Sequence, residues 1–113
     1  MSVSTTSTVL GIDPVRSLGF GGITGAYAPI GASSEYEGRM LLIQNWTNGD
    51  LMFSDDGVND KFPLKAGDKV VLDFSSNQTY ERGLFWPIGT TLYVSYLTEP
   101  TSGFVYYTIF YGN

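Results

Sequence analysis

The chain has no cysteine and no histidine among its 113 residues. Without cysteine there is no disulfide, no thiolate metal site and no cysteine nucleophile. Without histidine, the commonest general base and the commonest transition-metal ligand are both missing. Positive charge is scarce as well: six Lys and Arg stand against eleven Asp and Glu, a net charge of −5. The cations are scattered singly, and an acidic chain repels phosphate backbones, which argues against nucleic acid as a partner. No apolar run approaches the ~18–20 residues of a membrane span, so no membrane partner is expected. The opening Met1-Ser2-Val3-Ser4-Thr5-Thr6-Ser7-Thr8 has neither the basic start nor the apolar stretch of a secretory signal. The protein is therefore expected to stay in the compartment where it is made.

What the chain does have is glycine and aromatic side chains. Fourteen glycines, eight tyrosines, seven phenylalanines and two tryptophans sit in a chain with only 15% charged residues. Glycine supplies tight turns and aromatics suit pleated, half-buried surfaces, so many short strands are expected. The length suits one domain that buries roughly two-thirds of its unfolded surface without staples.

The turn signals mark out about eight antiparallel strands. Thr24–Ile30 follows a glycine cluster. Arg39–Trp46 is an apolar run that ends at Asn48-Gly49, a strong two-residue hairpin signal, with 50–54 as the returning strand. After Asp56-Gly57 comes 61–64, assigned to a sheet edge because Pro63 has no N–H to donate. Residues 69–74 alternate, 84–88 carry Trp86-Pro87, and 90–97 and 104–111 complete the set. Turns every 8–12 residues and no useful helix predict an all-β jelly roll or β-sandwich over residues 21–113.

Residues 1–20 read differently. Six of the first eight are Ser or Thr, Asp13-Pro14 breaks any helix, and Val9, Leu10, Ile12, Val15, Leu18 and Phe20 follow no strand or helix period. The segment is either a frayed tail or an extended N-terminal arm that orders on a neighbouring subunit; the apolar residues favour an interface role. The last strand raises the same question. Phe104, Tyr106, Thr108 and Phe110 lie on one side, and Val105, Tyr107, Ile109 and Tyr111 on the other. Both sides are apolar, whereas a strand with one face in water should show polar residues there. The alternation does not tell which face is core; Tyr107 and Tyr111 are taken as interface candidates beside the arm.

No catalytic, cofactor or metal residue emerges. Asp55, Asp56, Asn59 and Asp60 offer oxygen ligands for calcium, but lack the EF-hand glycine and distal glutamate and equally suit a turn. Glu35 and Glu37 read as solvated charges. The run 19–25 (Gly-Phe-Gly-Gly-Ile-Thr-Gly) lacks the lysine and flanking elements of a phosphate loop and reads as a hinge. Trp46, Trp86 and Tyr80 could stack on a sugar, as in a carbohydrate-binding module, against packing in a core or interface. The sequons at Asn45 and Asn77 carry no weight without a secretory signal. An enzyme is not expected.

The runs 42–45, 52–64, 71–77 and 88–90, with the closing 102–112, resemble small virion proteins of tailed bacteriophages. In particular, residues 40–113 resemble the jelly-roll cement (decoration) proteins of short-tailed phages. The resemblance implies a structural protein made in the host cytoplasm and carried on the outer surface of the capsid. Its implied partners are the major capsid protein and itself, as a homodimer or homotrimer. A tail or head-to-tail component is the nearest alternative, and a receptor-binding carbohydrate module is the alternative from another class.

Overall fold

Two ten-residue strands form the centre of the protein, β4 (Gly38–Thr47) and β9 (Gly103–Gly112). The computed structural model describes residues 10–73 and 86–112. Period-two alternation sends Leu41, Ile43 and Asn45 of β4, and Val105, Tyr107 and Ile109 of β9, to one side, where all six are fully buried. The strands run antiparallel with Leu41 opposite Ile109, Ile43 opposite Tyr107 and Asn45 opposite Val105.

The other strands assemble around this pair. β1 (Leu10–Ile12) and β2 (Arg16–Gly19) both line the outer edge of β9, and β7 (Lys69–Asp73) lines β4, giving a five-stranded sheet. The second sheet has the order β3 (Ala28–Pro29), β8 (Tyr93–Tyr96), β5 (Leu51–Ser54), β6 (Phe62–Leu64). All pairings are antiparallel. Apart from β1–β2, which is one strand line interrupted at Asp13–Val15, and the β5–β6 hairpin, each connection crosses from one sheet to the other. That is the double Greek key of a jelly roll. Ile30, Leu51, Phe53, Leu92 and Val94 of the second layer close the core against the first.

β6 lies at a sheet edge, as Pro63 requires. Two expectations change. Asn48-Gly49 does not make a hairpin between β4 and β5; it carries the chain between the sheets. Gly49 is needed there for space, since a Cβ would lie 2.3 Å from the Thr98 carbonyl oxygen. Asn48 spends its side chain on the neighbouring loop: its Nδ2 donates to Thr101 Oγ1, and its Oδ1 accepts from the Thr101 and Ser102 N–H groups. The first expected strand, Thr24–Ile30, also shrinks, since only Ala28–Pro29 of it pair as strand.

Residues 10–19 of the expected arm lie along β9 of their own chain, with Leu18 packed against the core. Residues 1–9, Val9 among them, lie outside the described residues.

The sheet-to-sheet crossing is pinned by Asn45. Its Nδ2 donates to the carbonyls of Gly49 (2.9 Å), Lys65 (3.1 Å) and Leu64 (3.3 Å), and its Oδ1 accepts from Thr47 N–H (3.0 Å) and Oγ1 (2.6 Å). Removing this amide takes a partner from the Leu64 and Lys65 carbonyls and from the Thr47 N–H, while the Gly49 carbonyl keeps Thr47 Oγ1; a buried polar group left unpaired costs ~1–3 kcal/mol. Asn45→Ala is therefore expected to cost about 2–4 kcal/mol in urea unfolding, and a loss below ~1 kcal/mol would contradict this role.

Candidate protein-binding surface

Because Tyr107 stands between Val105 and Ile109 and opposite Ile43, it is a core residue, fully buried. Its place as an interface candidate is thereby corrected: this side of β9 is the inside. Tyr111 shares that side at its open end, where its ring covers Gly11 and stacks on Tyr36 at 3.9 Å. A Cβ on Gly11 would sit 2.1 Å from the Tyr111 ring, so glycine is what lets the ring lie there.

The aromatic residues turned outward are the alternate set. Register places Trp46 beside Phe104, Gln44 beside Tyr106, Leu42 beside Thr108 and Met40 beside Phe110. β7 adds Lys69, Val71 and Asp73 next to Gln44, Leu42 and Met40. On the other flank, Ile12 lies opposite Phe110 and Ser17 opposite Tyr106. Trp46 is 62% exposed, Val71 56%, Phe104 49% and Ile12 61%, far above what a solvated sheet face needs. Tyr106 holds the cluster together, edge-on to Trp46 at 5.3 Å and stacked near Phe104 at 6.0 Å. Of the residues that the register puts on this face, only Lys69 and Asp73 are charged.

The four-stranded sheet treats its outer face in the opposite way. Its outward positions include Pro29, Met52, Ser54, Pro63, Tyr93 and Ser95, and the chain folds over part of them. Tyr27 donates to Asp60, Gly57 lies against the Tyr93 ring with φ +75, and Ser54 and Ser95 are buried. No described residue covers the outer face of the five-stranded sheet in this way.

The arm candidates divide. Ile12, Val15 and Phe20 are exposed beside that face, while Leu18 is turned inward. Leu10 is placed by its backbone pairing with Gly112.

The chemical candidates find structural occupations. Asp56 accepts from the N–H groups of Val58 and Asn59, from Ser54 Oγ and from Asn59 Nδ2. Those donors hold its carboxyl well below the usual range. The carboxylate is thus the core of a turn, and no metal-binding group of three acidic residues occurs among the described residues. Glu35 and Glu37 border a shallow cleft of about 210 Å³ with Tyr36 and Tyr111. A second of about 210 Å³ lies by Asp13 and Arg16, and an apolar one of about 170 Å³ by Phe62, Leu72 and Trp86. All three fall short of the ~300–1,000 Å³ of ordinary ligand pockets. Trp86 is buried and Trp46 exposed on the opposite side of the sheet, so the two do not form one sugar platform; Tyr80 lies outside the described residues. The 19–25 glycine run makes the 3-10 turn that leads from one sheet to the other.

Sequence reasoning did not find the pairing of buried Asp13 with half-buried Arg16. Their ion pair is 2.9 Å long, and Arg16 also donates to the carbonyls of Ala32 and Ser33 while its guanidinium lies 5.8 Å from the Tyr107 ring. Register in β2 is the signal that would have found Arg16, since it faces inward with Leu18.

Comparison with known proteins adds little. No protein-family model and no curated protein matches the chain. Among solved structures, the SPP1 Dit (gp 19.1) protein, described as a paradigm of the hub adsorption apparatus in phages infecting Gram-positive bacteria, is similar at 10% identity and a TM-score of 0.41. The match covers 90% of this chain and 49% of that one, so the chain spans about half of its length.

Two outcomes follow from the burial pattern. Trp86→Ala is expected to cost about 3–5 kcal/mol and Trp46→Ala less than ~1 kcal/mol, measured by denaturant unfolding; equal costs would contradict the assignment of faces. Burial also pushes the Tyr107 phenol up to about 12. The unfolded chain then gives up this proton first, near pH ~10. Its contribution is complete below that pH and is lost as the pH rises toward 12. Tyr107→Phe should flatten the fall in melting temperature over that window, and an unchanged slope would contradict it.

Proposed function

We propose that this chain is a non-enzymatic structural protein of a bacteriophage virion, a cement protein that binds and stabilises the shell of major capsid protein from its outer surface. The observation that carries the reading is the outer face of the five-stranded sheet, left open among the described residues, with Trp46, Val71 and Phe104 exposed and Tyr106 and Phe110 half-buried where a solvated face should be polar. Exposed apolar surface of this extent is what protein contacts use, and Tyr, Trp, Phe and Met are the residues enriched in them. Ile12, Val15 and Phe20 continue the apolar surface along the β1–β2 edge. The acidic chain suits a shell exterior away from packaged DNA. The mechanism is mass action: a protein that binds only the assembled shell stabilises it by its binding free energy, summed over many copies.

The test is cosedimentation of purified protein with undecorated expanded heads and, separately, with tails. The native chain is expected to pellet with heads and to raise their thermal stability. The double variant Trp46→Ser, Phe104→Ser should keep its own melting temperature within a few degrees and bind at least tenfold more weakly. Binding to tails alone would move the protein to the tail or head-to-tail reading. Undiminished binding by the variant would sink this surface as the contact.

A further inference from the structure

We infer that Asn48 is a deamidation site that the fold keeps latent, losing its amide only when the clasp between Asn48 and the 101–102 loop opens. The inference stands apart from what the outer sheet face binds.

The chemistry comes from the neighbour. Asn48 precedes glycine, whereas Asn45, Asn59 and Asn77 precede Trp, Asp and Gln. Glycine has no Cβ to hinder approach to its backbone nitrogen. In such a pair the Gly49 nitrogen gives its proton to solvent and attacks Asn48 Cγ. The new N–Cγ bond closes a five-membered imide, the Cγ–Nδ2 bond breaks, and Nδ2 takes up a proton and leaves as ammonia. Solvent water then opens the imide at one of its two carbonyls, leaving aspartate or isoaspartate at position 48.

The folded chain restrains both participants. Asn48 is exposed, so water reaches it, yet its carboxamide is held at both ends. Nδ2 donates to Thr101 Oγ1 (2.7 Å), and Oδ1 accepts from the N–H groups of Thr101 (2.8 Å) and Ser102 (3.3 Å). Closing the imide turns the carboxamide onto the Gly49 nitrogen and gives up these bonds. The nucleophile is held as well. Gly49 is buried, its N–H donates to Thr47 Oγ1 (3.3 Å), and its carbonyl accepts from Asn45 Nδ2 (2.9 Å) and Thr47 Oγ1 (3.1 Å). A Cβ on Gly49 would lie 2.3 Å from the Thr98 carbonyl oxygen and 2.9 Å from the Pro100 nitrogen, so the peptide has little room to rotate while the loop is closed.

The two products are unequal. Aspartate keeps the clasp: one oxygen still accepts from both N–H groups, and the Thr101 hydroxyl, which can donate as well as accept, turns its proton to the other. Isoaspartate routes the backbone through the side-chain carbons and adds a methylene ahead of Gly49, shifting the carbonyl that Asn45 holds. Loop opening is thereby made permanent by isoaspartate and not by aspartate.

Peptide mapping of residue 48 in the full chain, held in warm alkaline buffer with and without unfolding urea, reads the rate. The native chain is expected to react tenfold or more slowly than the unfolded chain. Thr101→Val removes the Oγ1 acceptor at an exposed position, and should raise the native rate about threefold or more, the worth of one hydrogen bond. Thr101→Ser keeps the hydroxyl and should react as the native chain does. Thr101→Ala serves as the same probe if the valine variant does not fold by circular dichroism. Asn48→Asp should melt within a few degrees of the native chain, and chromatographically separated isoaspartate chain well below it. Equal rates in the folded and unfolded chains would overturn the inference. So would a native rate indifferent to loss of the Thr101 hydroxyl, a rise that only tracks global stability in urea, or an isoaspartate chain as stable as Asn48→Asp.

Discussion

The register of β4 against β9 is the constraint on which the rest of the protein depends. A slip of one residue exchanges every side chain between core and exterior. In most half-buried sheets polarity forbids the slip; here Leu42, Trp46, Phe104 and Phe110 outside are as apolar as Leu41, Ile43, Val105 and Ile109 inside, so hydrophobicity alone does not choose. Polar and steric pins decide it. Asn45 can satisfy its amide only where Gly49, Leu64 and Lys65 present carbonyls. At the other strand's start, Gly103 has φ +96 and approaches so closely that a Cβ would lie 2.0 Å from the Trp46 carbonyl oxygen. Gly38, where the register shifts, has Trp86 against it in the same way.

The outer face follows from that choice. Once one alternate set is committed to the core, the other is obliged to face out, and its aromatic content becomes a property of the surface. The two outer faces then diverge: the four-stranded sheet is partly roofed by Tyr27 and the Gly57 turn, and the five-stranded sheet is left open among the described residues. A protein whose larger sheet is apolar on both sides is suited to be a layer in something bigger. That division of labour, a pinned interior and an adhesive exterior, is the physical basis for the cement reading and asks for no reacting group.

Much of the fold was legible in the sequence because strand period and turn chemistry are local. Pro63 at an edge, Gly57 in the β5–β6 hairpin and the alternation of β9 all survive in the structure. The crossing at Asn48-Gly49 was not legible. The same dipeptide serves a hairpin or a sheet-to-sheet step, and only partners far along the chain, at Thr98 and Thr101, decide between them. The face of β9 was undecided for the same reason, since Tyr107 and Tyr106 differ in no local property. Long-range partners, Ile43 and Arg16 for the one, Trp46 for the other, separate them. The surface was thus readable as a two-sided strand, though not as the particular side now assigned.

Hydroxyl-radical footprinting, read by mass spectrometry on the free protein at low concentration and on the decorated particle, tests the central claim most directly. The account predicts that Met40, Trp46, Phe104 and Tyr106 are oxidised in the dilute protein and protected on the particle, while Trp86 and Tyr107 are protected in both. Equal oxidation of Trp46 and Phe104 in the two states would contradict it.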